Sequence, residues 1–271
     1  MKRHQLLGHP EIANKSLSEL AASYPAPLED FFGLGNYPAD WNHTGMRWSD
    51  VSKCLEIVTL AHLGYSLRDT NSGAFAIAGA RIAVDYFYGD YLSLDDWSEE
   101  MRRSQDNDFL LWSGVFRDGL FLATLVHAQE DSRKLCQWVA PWLPYDESEY
   151  DFSRQGVAYL KLLAAVVDER TDEMESLSTE IDKTRTKRWK LLRDALLAIQ
   201  NQDATSFGEN ISTFLQHYLK AELGRQFVSD WVSLDASTLW NLAIDRRMAM
   251  PDLDDRAAAL IVTQDTITDA A

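Results

Sequence analysis

Apolar positions between residues 156 and 220 are spaced as in one helical hairpin that occurs twice. Leu162-Leu163-Ala164 recurs as Leu196-Leu197-Ala198, and the same offset of 34 residues carries Leu177 onto Ile211. Each copy has an apolar helix, a polar turn with acidic residues and a second amphipathic helix. This offset is typical of stacked helix-turn-helix units of the tetratricopeptide kind, which bury their apolar faces only against neighbouring units.

Helical periodicity also marks the rest of the chain. Helix signals follow Ser16, Asp203 and the predicted N-cap Ser233, and they extend over 49–67, 72–91, 106–129 and 132–142. No apolar run with period two is bounded by a hairpin dipeptide, so the sequence predicts no strand. The predicted fold class is all-α: a multi-helix bundle or a set of stacked helical hairpins, tetratricopeptide-like in the C-terminal half.

The chain contains no linker long enough to divide it, so we predict a single all-helical domain over residues 1–271. The alternative is a division into two lobes, 14–142 and 152–262, that meet close to Pro141. We expect both ends of the chain, up to Ile12 and after Val262, to be loosely held because they are polar.

The charge balance limits the classes of partner. The chain has 26 basic and 42 acidic residues, a net charge of −16, which disfavours nucleic acid and anionic membranes as direct partners. A basic protein is a compatible partner, although the surplus of acid could also serve solubility alone. The most apolar segment, 109–128, carries Arg117 and Asp118 in its middle, which favours a buried core helix over a membrane span.

The catalytic motifs that a sequence can reveal are missing. There is no paired-histidine metal helix, no nucleophile elbow and no phosphate loop. His62 is predicted to be a core histidine, and Cys54 and Cys136 are predicted to be buried thiols of a cytoplasmic protein, because no signal peptide opens the chain. We expect no enzymatic activity, no catalytic residue, no metal site and no cofactor; an enzyme assembled from distant helices remains an alternative.

Acidic residues beside aromatic residues form the candidate binding surface, since aromatic anchors supply binding energy and charges steer association. Residues 145–182 hold eleven acidic and three basic residues, whereas 183–193 hold six basic residues and no acidic one. A solvated helix face with inward aromatic residues is the alternative interpretation. The candidate residues are Trp142, Tyr145, Asp146, Glu147, Glu149, Tyr150, Asp151, Asp168, Glu169, Asp172, Glu173 and Glu175.

Several stretches occur in a characteristic order. Phe109-Leu110-Leu111-Trp112 precedes Phe116-Arg117-Asp118 and Leu135-Cys136. The acidic, tyrosine-bearing stretch 145–150 follows, and Val232-Ser233-Leu234-Asp235 leads into a closing helix. Between stretch 145–150 and the closing helix lies the hairpin that begins with Leu196-Leu197-Ala198. In this order the stretches resemble the bacterial immunity protein family 49 of polymorphic toxin systems, over about residues 70–262. The tyrosine-proline ending of that family is not present, which leaves the C-terminal register open.

The resemblance implies a helical, non-enzymatic protein that binds one cognate toxin, and many such toxins are nucleases with basic active sites. Together with the acidic charge, it predicts an immunity protein that neutralises a cognate toxin or effector of the nuclease kind by occluding its active site. The resemblance brings no catalytic residues. The alternative function is a helical-repeat scaffold or adaptor that binds a peptide or helix of a partner protein, and the oligomeric state is left open.

Overall fold

The computed structural model of the protein describes residues 2–8, 11–24, 44–67, 70–88, 109–142, 151–183, 185–221 and 228–268. Within these ranges all regular structure is helical, which confirms the predicted all-α class. The α-helices are α1 (Arg3–Leu6), α2 (Glu11–Ser23), α3 (Thr44–Leu63), α4 (Ser72–Tyr88), α5 (Phe109–Leu125), α6 (Gln129–Trp142), α7 (Asp151–Val167), α8 (Met174–Asp182), α9 (Lys187–Gln200), α10 (Ala204–Ala221), α11 (Leu234–Asp245), α12 (Asp255–Ala258) and α13 (Gln264–Thr268). A 3-10 helix, Val228–Trp231, precedes α11.

Four helices, α5, α7, α9 and α11, form an inner ring. Each packs against the next, and α11 packs back against α5. The helices run in the same direction, because their C-terminal ends meet: Arg246 after α11 bonds to Val166 of α7 and Ile199 of α9, and His127 after α5 bonds to Asp245 of α11. The even-numbered helices α6, α8 and α10 each follow one inner helix and pack back against it, whereas the short α12 packs on α10.

All four inner helices end in the same way. The residue two positions beyond each helix has a left-handed backbone, at His127, Glu169, Gln202 and Arg247, with φ between 55° and 58°. The next amide then donates to a carbonyl five residues back, as from Arg170 to Ala165 at 2.8 Å, which is the Schellman arrangement. The structure therefore repeats one helix ending four times, whereas the sequence pattern revealed two similar segments, α7–α8 and α9–α10.

The helices α3 and α4 pack against one side of this ring, on α5, and α4 also contacts α6. The close approach depends on small residues. A Cβ on Gly119 of α5 would lie 2.3 Å from the Cβ of Ala83, and a Cβ on Gly79 of α4 would lie 2.6 Å from Leu122. Helices α4 and α5 therefore pack nearly backbone to backbone.

The predicted helix starts are confirmed where the structure describes their caps. Asp203 Oδ1 accepts from the Ser206 amide at 3.0 Å, and the hydroxyl of Ser233 accepts from the Ala236 amide at 3.3 Å. Each side chain accepts a hydrogen bond from an amide in the first turn of a helix, which has no partner inside the helix. Cys54 and Cys136 are free and buried, as predicted.

The prediction that both ends of the chain are loosely held is wrong for the residues described. His4 Nδ1 donates to the carbonyl of Leu63 at 2.9 Å, and Ile267 is buried. His62, a core histidine as predicted, donates from Nε2 to the carbonyl of Ala259, and its Nδ1 lies 2.8 Å from the hydroxyl of Thr266. The polar residues of both ends thus satisfy polar groups of α3, which hydropathy patterns do not reveal. No helix within the described ranges is both long and apolar enough to cross a membrane.

Candidate functional site

The described part of the predicted acidic surface lies at the two ends of α7. Asp151 is the first residue of α7, and Asp168 directly follows its last residue. A helix of 17 residues is about 25 Å long, so Asp151 and Asp168 lie at opposite ends of the helix. Tyr145, Asp146, Glu147, Glu149 and Tyr150 lie outside the described residues, as do the side chains of Trp142 and Asp151.

The acidic turn, which we define as residues 168–175, consists of the connection from α7 to α8 and the start of α8. It contains the other five predicted residues. Arg170 forms ion pairs with Asp168 at 3.1 Å and with Glu173 at 2.9 Å. Glu169, Asp172 and Glu175 are exposed. Among the described residues, Asp172 and Glu175 have no ion-pair partner. Arg170 therefore holds two carboxylates of the turn in place, and the exposed surface of the turn is negatively charged.

Arg246 holds the C-terminal ends of α7 and α9 together, at the end of the inner ring where the acidic turn lies. Its guanidinium donates to the carbonyl of Val166 at 2.8 Å, to the side chain of Gln200 at 2.9 Å and to the carbonyl of Ile199 at 3.4 Å. A cation is favourable at a helix C-terminus, where carbonyl groups lack partners inside the helix. One side chain therefore joins the ends of α7 and α9 directly beside Glu169 of the acidic turn.

A second group of polar side chains lies inside the inner ring, nearer the opposite end. This inner polar cluster consists of Arg117, Asp118, Tyr159, Arg188 and Asp235, which come from all four inner helices. Arg117 donates from Nε and Nη2 to Oδ1 of Asp118, at 3.1 and 3.0 Å. Arg188 donates from Nη2 to Oδ2 of Asp235 at 2.6 Å. The cluster therefore contains two arginine–aspartate pairs whose formal charges balance.

Burial makes these charges unusual. Asp118 and Asp235 are buried, and Tyr159 is completely so. Burial raises the pKa of the Asp118 carboxyl, Arg117 lowers it, and nearby Asp235 raises it further. The pKa of the Tyr159 hydroxyl is raised by burial and then by the charge of Asp235. Charges taken out of water cost free energy that pairing only partly offsets, so the cluster is not explained by stability alone.

Two hydrogen-bond donors of the inner polar cluster have no partner in the part of the chain that the structure describes. These are the hydroxyl of Tyr159 and Nε of Arg188, and both atoms are buried. Trp189 holds the two side chains together: its ring lies 5.5 Å from the Tyr159 ring and 4.9 Å from the guanidinium carbon of Arg188. Gly156 makes room for this indole, because a Cβ there would lie 3.4 Å from it. Buried polar groups without partners are rare in folded proteins, which marks this cluster as a candidate functional site.

The sequence revealed only parts of the cluster. Arg117 and Asp118 were conspicuous inside an apolar segment, and Asp235 belongs to a stretch that carries the family resemblance. Tyr159 and Arg188 carried no signal of their own, because only the closed ring brings them together. Within the described ranges, no group of three or more potential metal ligands occurs.

A groove of about 610 Å³ lies away from both sites, between α1, the end of α3 and α12. Its wall includes Lys2, Arg3, Tyr65 and Asp255. Arg3 is occupied by the backbone, since Nη1 donates to the carbonyl of His62 at 3.1 Å. The groove is therefore a weaker candidate than the inner polar cluster, where buried polar groups lack hydrogen-bond partners.

Comparison of the chain with protein-family models, with curated proteins and with solved structures found no match. The resemblance to the bacterial immunity protein family 49 stays a prediction from the sequence.

Proposed function

We propose that the protein is a non-enzymatic immunity protein of the cytoplasm, which binds a cognate toxin domain and blocks its active site. The toxin domain is basic and of the nuclease kind. The observation that carries the proposal is the acidic turn, where Glu169, Asp172 and Glu175 present exposed carboxylates from one connection between helices. A basic nucleic-acid site is the complementary surface for such a group.

Rigid support makes these carboxylates suitable for recognition. The turn follows a Schellman ending, is held by the two ion pairs of Arg170, and lies beside the contacts of Arg246 with α7 and α9. Binding then orders few additional groups, which preserves more of the interaction free energy. Asp172 and Glu175 have no ion-pair partner among the described residues. A basic partner can therefore bind them without breaking an internal ion pair.

The net charge of the chain also favours a basic protein domain as the partner. The net charge of −16 repels nucleic acid and attracts a basic protein domain over long range. Such steering increases the association rate and decreases at high salt. An immunity protein benefits from fast capture, because a nuclease toxin is harmful from the moment it folds.

The first experiment is capture of the tagged protein's partner from its own bacterium at low and at high salt. We expect one stoichiometric protein with a basic domain, and its toxic activity is expected to be lost in the complex. Recovery of an acidic partner, or of a complex that keeps full toxic activity, would contradict the proposal.

The second experiment measures association of the captured domain with the double variant Asp172→Lys, Glu175→Lys. We expect the association rate constant to fall several-fold at low salt and the difference to shrink at high salt. The matched control is Glu209→Lys, Asp252→Lys, which changes the net charge equally at exposed positions on the side of α10. Equal slowing by both variants would show that only total charge matters and would remove the acidic turn from the interface.

A further inference from the structure

We propose that the inner polar cluster is a receptor for one small phosphate-type oxyanion. This inference does not rest on the toxin-binding proposal, because it concerns other residues near the opposite end of the inner ring. Its observations are the two arginine–aspartate pairs, the two donors without partners and the placement of these groups on different helices.

The aspartates of the cluster orient the arginines without enclosing them. Asp118 and Asp235 are buried, whereas the side chains of Arg117 and Arg188 keep 35% and 39% of their surface exposed. Each guanidinium uses one edge for its aspartate and retains N–H groups on another edge. Guanidinium groups fixed in this way are the typical protein ligands of phosphate and carboxylate oxygens.

The groups without partners call for an acceptor. In this cluster both unsatisfied buried atoms, Oη of Tyr159 and Nε of Arg188, are hydrogen-bond donors. An oxyanion accepts several such bonds at once. Because the internal charges already balance, an added phosphate would leave the cluster with a net negative charge, which the neighbouring start of α9 partly offsets.

The start of α9 adds positive potential beside Arg188. The first turn of this helix contains no acidic residue. Lys187 is exposed at the first position. The amides at a helix N-terminus and its dipole favour anions. The start of α9 therefore favours the same anionic acceptor that the donors of Tyr159 and Arg188 would bind.

The placement of the donors on three helices favours a tetrahedral ligand. Arg117, Tyr159 and Arg188 belong to α5, α7 and α9, three of the four inner helices. A tetrahedral phosphate presents oxygens to three sides, whereas a planar carboxylate is satisfied by a single guanidinium fork. The net charge of −16 repels long polyanions, which selects a small phosphate over a nucleic-acid backbone.

The test is a titration of the purified protein with inorganic phosphate, with sodium chloride adjusted to keep the ionic strength constant. We expect a saturable increase in Tm and binding of one phosphate per chain by calorimetry. Tyr159→Phe keeps the ring and removes only the unpaired hydroxyl, so the variant should fold and bind phosphate about tenfold more weakly. Tyr24→Phe is the control, because its hydroxyl bonds to Glu56 on the N-terminal side and its loss should leave the phosphate affinity unchanged.

A second variant guards against a folding effect at Tyr159. Arg188→Lys keeps the charge opposite Asp235 but lacks the Nε donor, and it should also weaken phosphate binding. A Tm independent of phosphate, or equal phosphate affinity in wild type and both variants, would overturn the proposal. Binding of a single-stranded oligonucleotide without binding of free phosphate would overturn it as well, since the ligand would then be a polyanion.

Discussion

The guanidinium of Arg246 donates from Nη2 to the carbonyl of Val166 at 2.8 Å, although 80 residues separate the two in the chain. Arg246 directly follows α11, and Val166 lies in the last turn of α7. Further bonds from Nη1 reach the end of α9. Three of the four inner helices are therefore held in register by one side chain, which makes Arg246 a test of how the ring is stabilised.

Replacing Arg246 by Ala should lower the free energy of unfolding by about 2 to 4 kcal/mol, since hydrogen bonds from a charged group and helix-end stabilisation are both lost. Urea denaturation measures the change. Arg247→Ala is the matched control, because Arg247 is adjacent and exposed, and its effect should stay within about 0.5 kcal/mol. Similar losses in both variants would mean that the contacts of Arg246 contribute little.

Removing the hydroxyl of Tyr159 should not destabilise the protein without ligand. Tyr159→Phe is expected to leave the free energy of unfolding unchanged or to raise it, because the buried hydroxyl has no partner. Tyr218→Phe is the comparison: its hydroxyl donates to the carbonyl of Val232 at 2.7 Å, and its loss should cost about 1 kcal/mol. Equal losses would indicate that Tyr159 has a partner, such as a bound water molecule.

Two glycines of α5 should respond in opposite ways to alanine. In Gly119→Ala the new methyl group would lie 2.3 Å from the Cβ of Ala83, so α4 and α5 must separate at a cost of about 1 to 3 kcal/mol. Gly114 has nothing within 4 Å of the corresponding position, and Gly114→Ala should stabilise the helix by about 0.5 to 1 kcal/mol. Thermal unfolding of both variants measures the difference, and equal effects would contradict the close approach of the two helices.

Acid should weaken the fold through His62. Complete burial lowers the pKa of this imidazole from 6.5 to about 3. Between these values the unfolded chain binds a proton at His62 and the folded chain does not. Stability contributed by the neutral imidazole is therefore full above pH 6.5 and is lost as the pH falls towards 3, by up to about 1.4 kcal/mol per pH unit.

The variant His62→Gln isolates this contribution from that of buried carboxyls such as Asp118, whose raised pKa acts in the opposite sense. The free energy of unfolding of the variant should fall less steeply between pH 6.5 and 3 than that of the wild type. Equal slopes for His62→Gln and the wild type would contradict the prediction.

Much of the fold follows from local patterns. Apolar periodicity predicted the helices, and the recurrence of Leu162-Leu163-Ala164 predicted the two hairpins α7–α8 and α9–α10. The fourfold repetition was hidden, because the common feature is a left-handed backbone at four residues of different type rather than a shared glycine or motif. Sequence signals of helix ends depend on residue type, whereas here the backbone geometry is shared and the residues are not.

The candidate sites were predictable to different degrees. The acidic turn was visible as a local surplus of charge, and its internal pairing by Arg170 follows from contacts over a few residues. The inner polar cluster depends on ring closure between α5 and α11, so residues as far apart as Arg117 and Asp235 had to be brought together by the whole fold. Local periodicity does not contain that information.

The contact between α5 and α11 also affects the kinetics of folding. In an open stack of hairpins each unit touches only its neighbours, so such a protein can nucleate at any unit and fray from either end. A ring has no terminal unit among its inner helices, and its closure must wait until the last of them has been added. Contacts between distant parts of a chain form slowly, so closure of α11 onto α5 should be the late, rate-limiting event, after which the ring opens only as a whole.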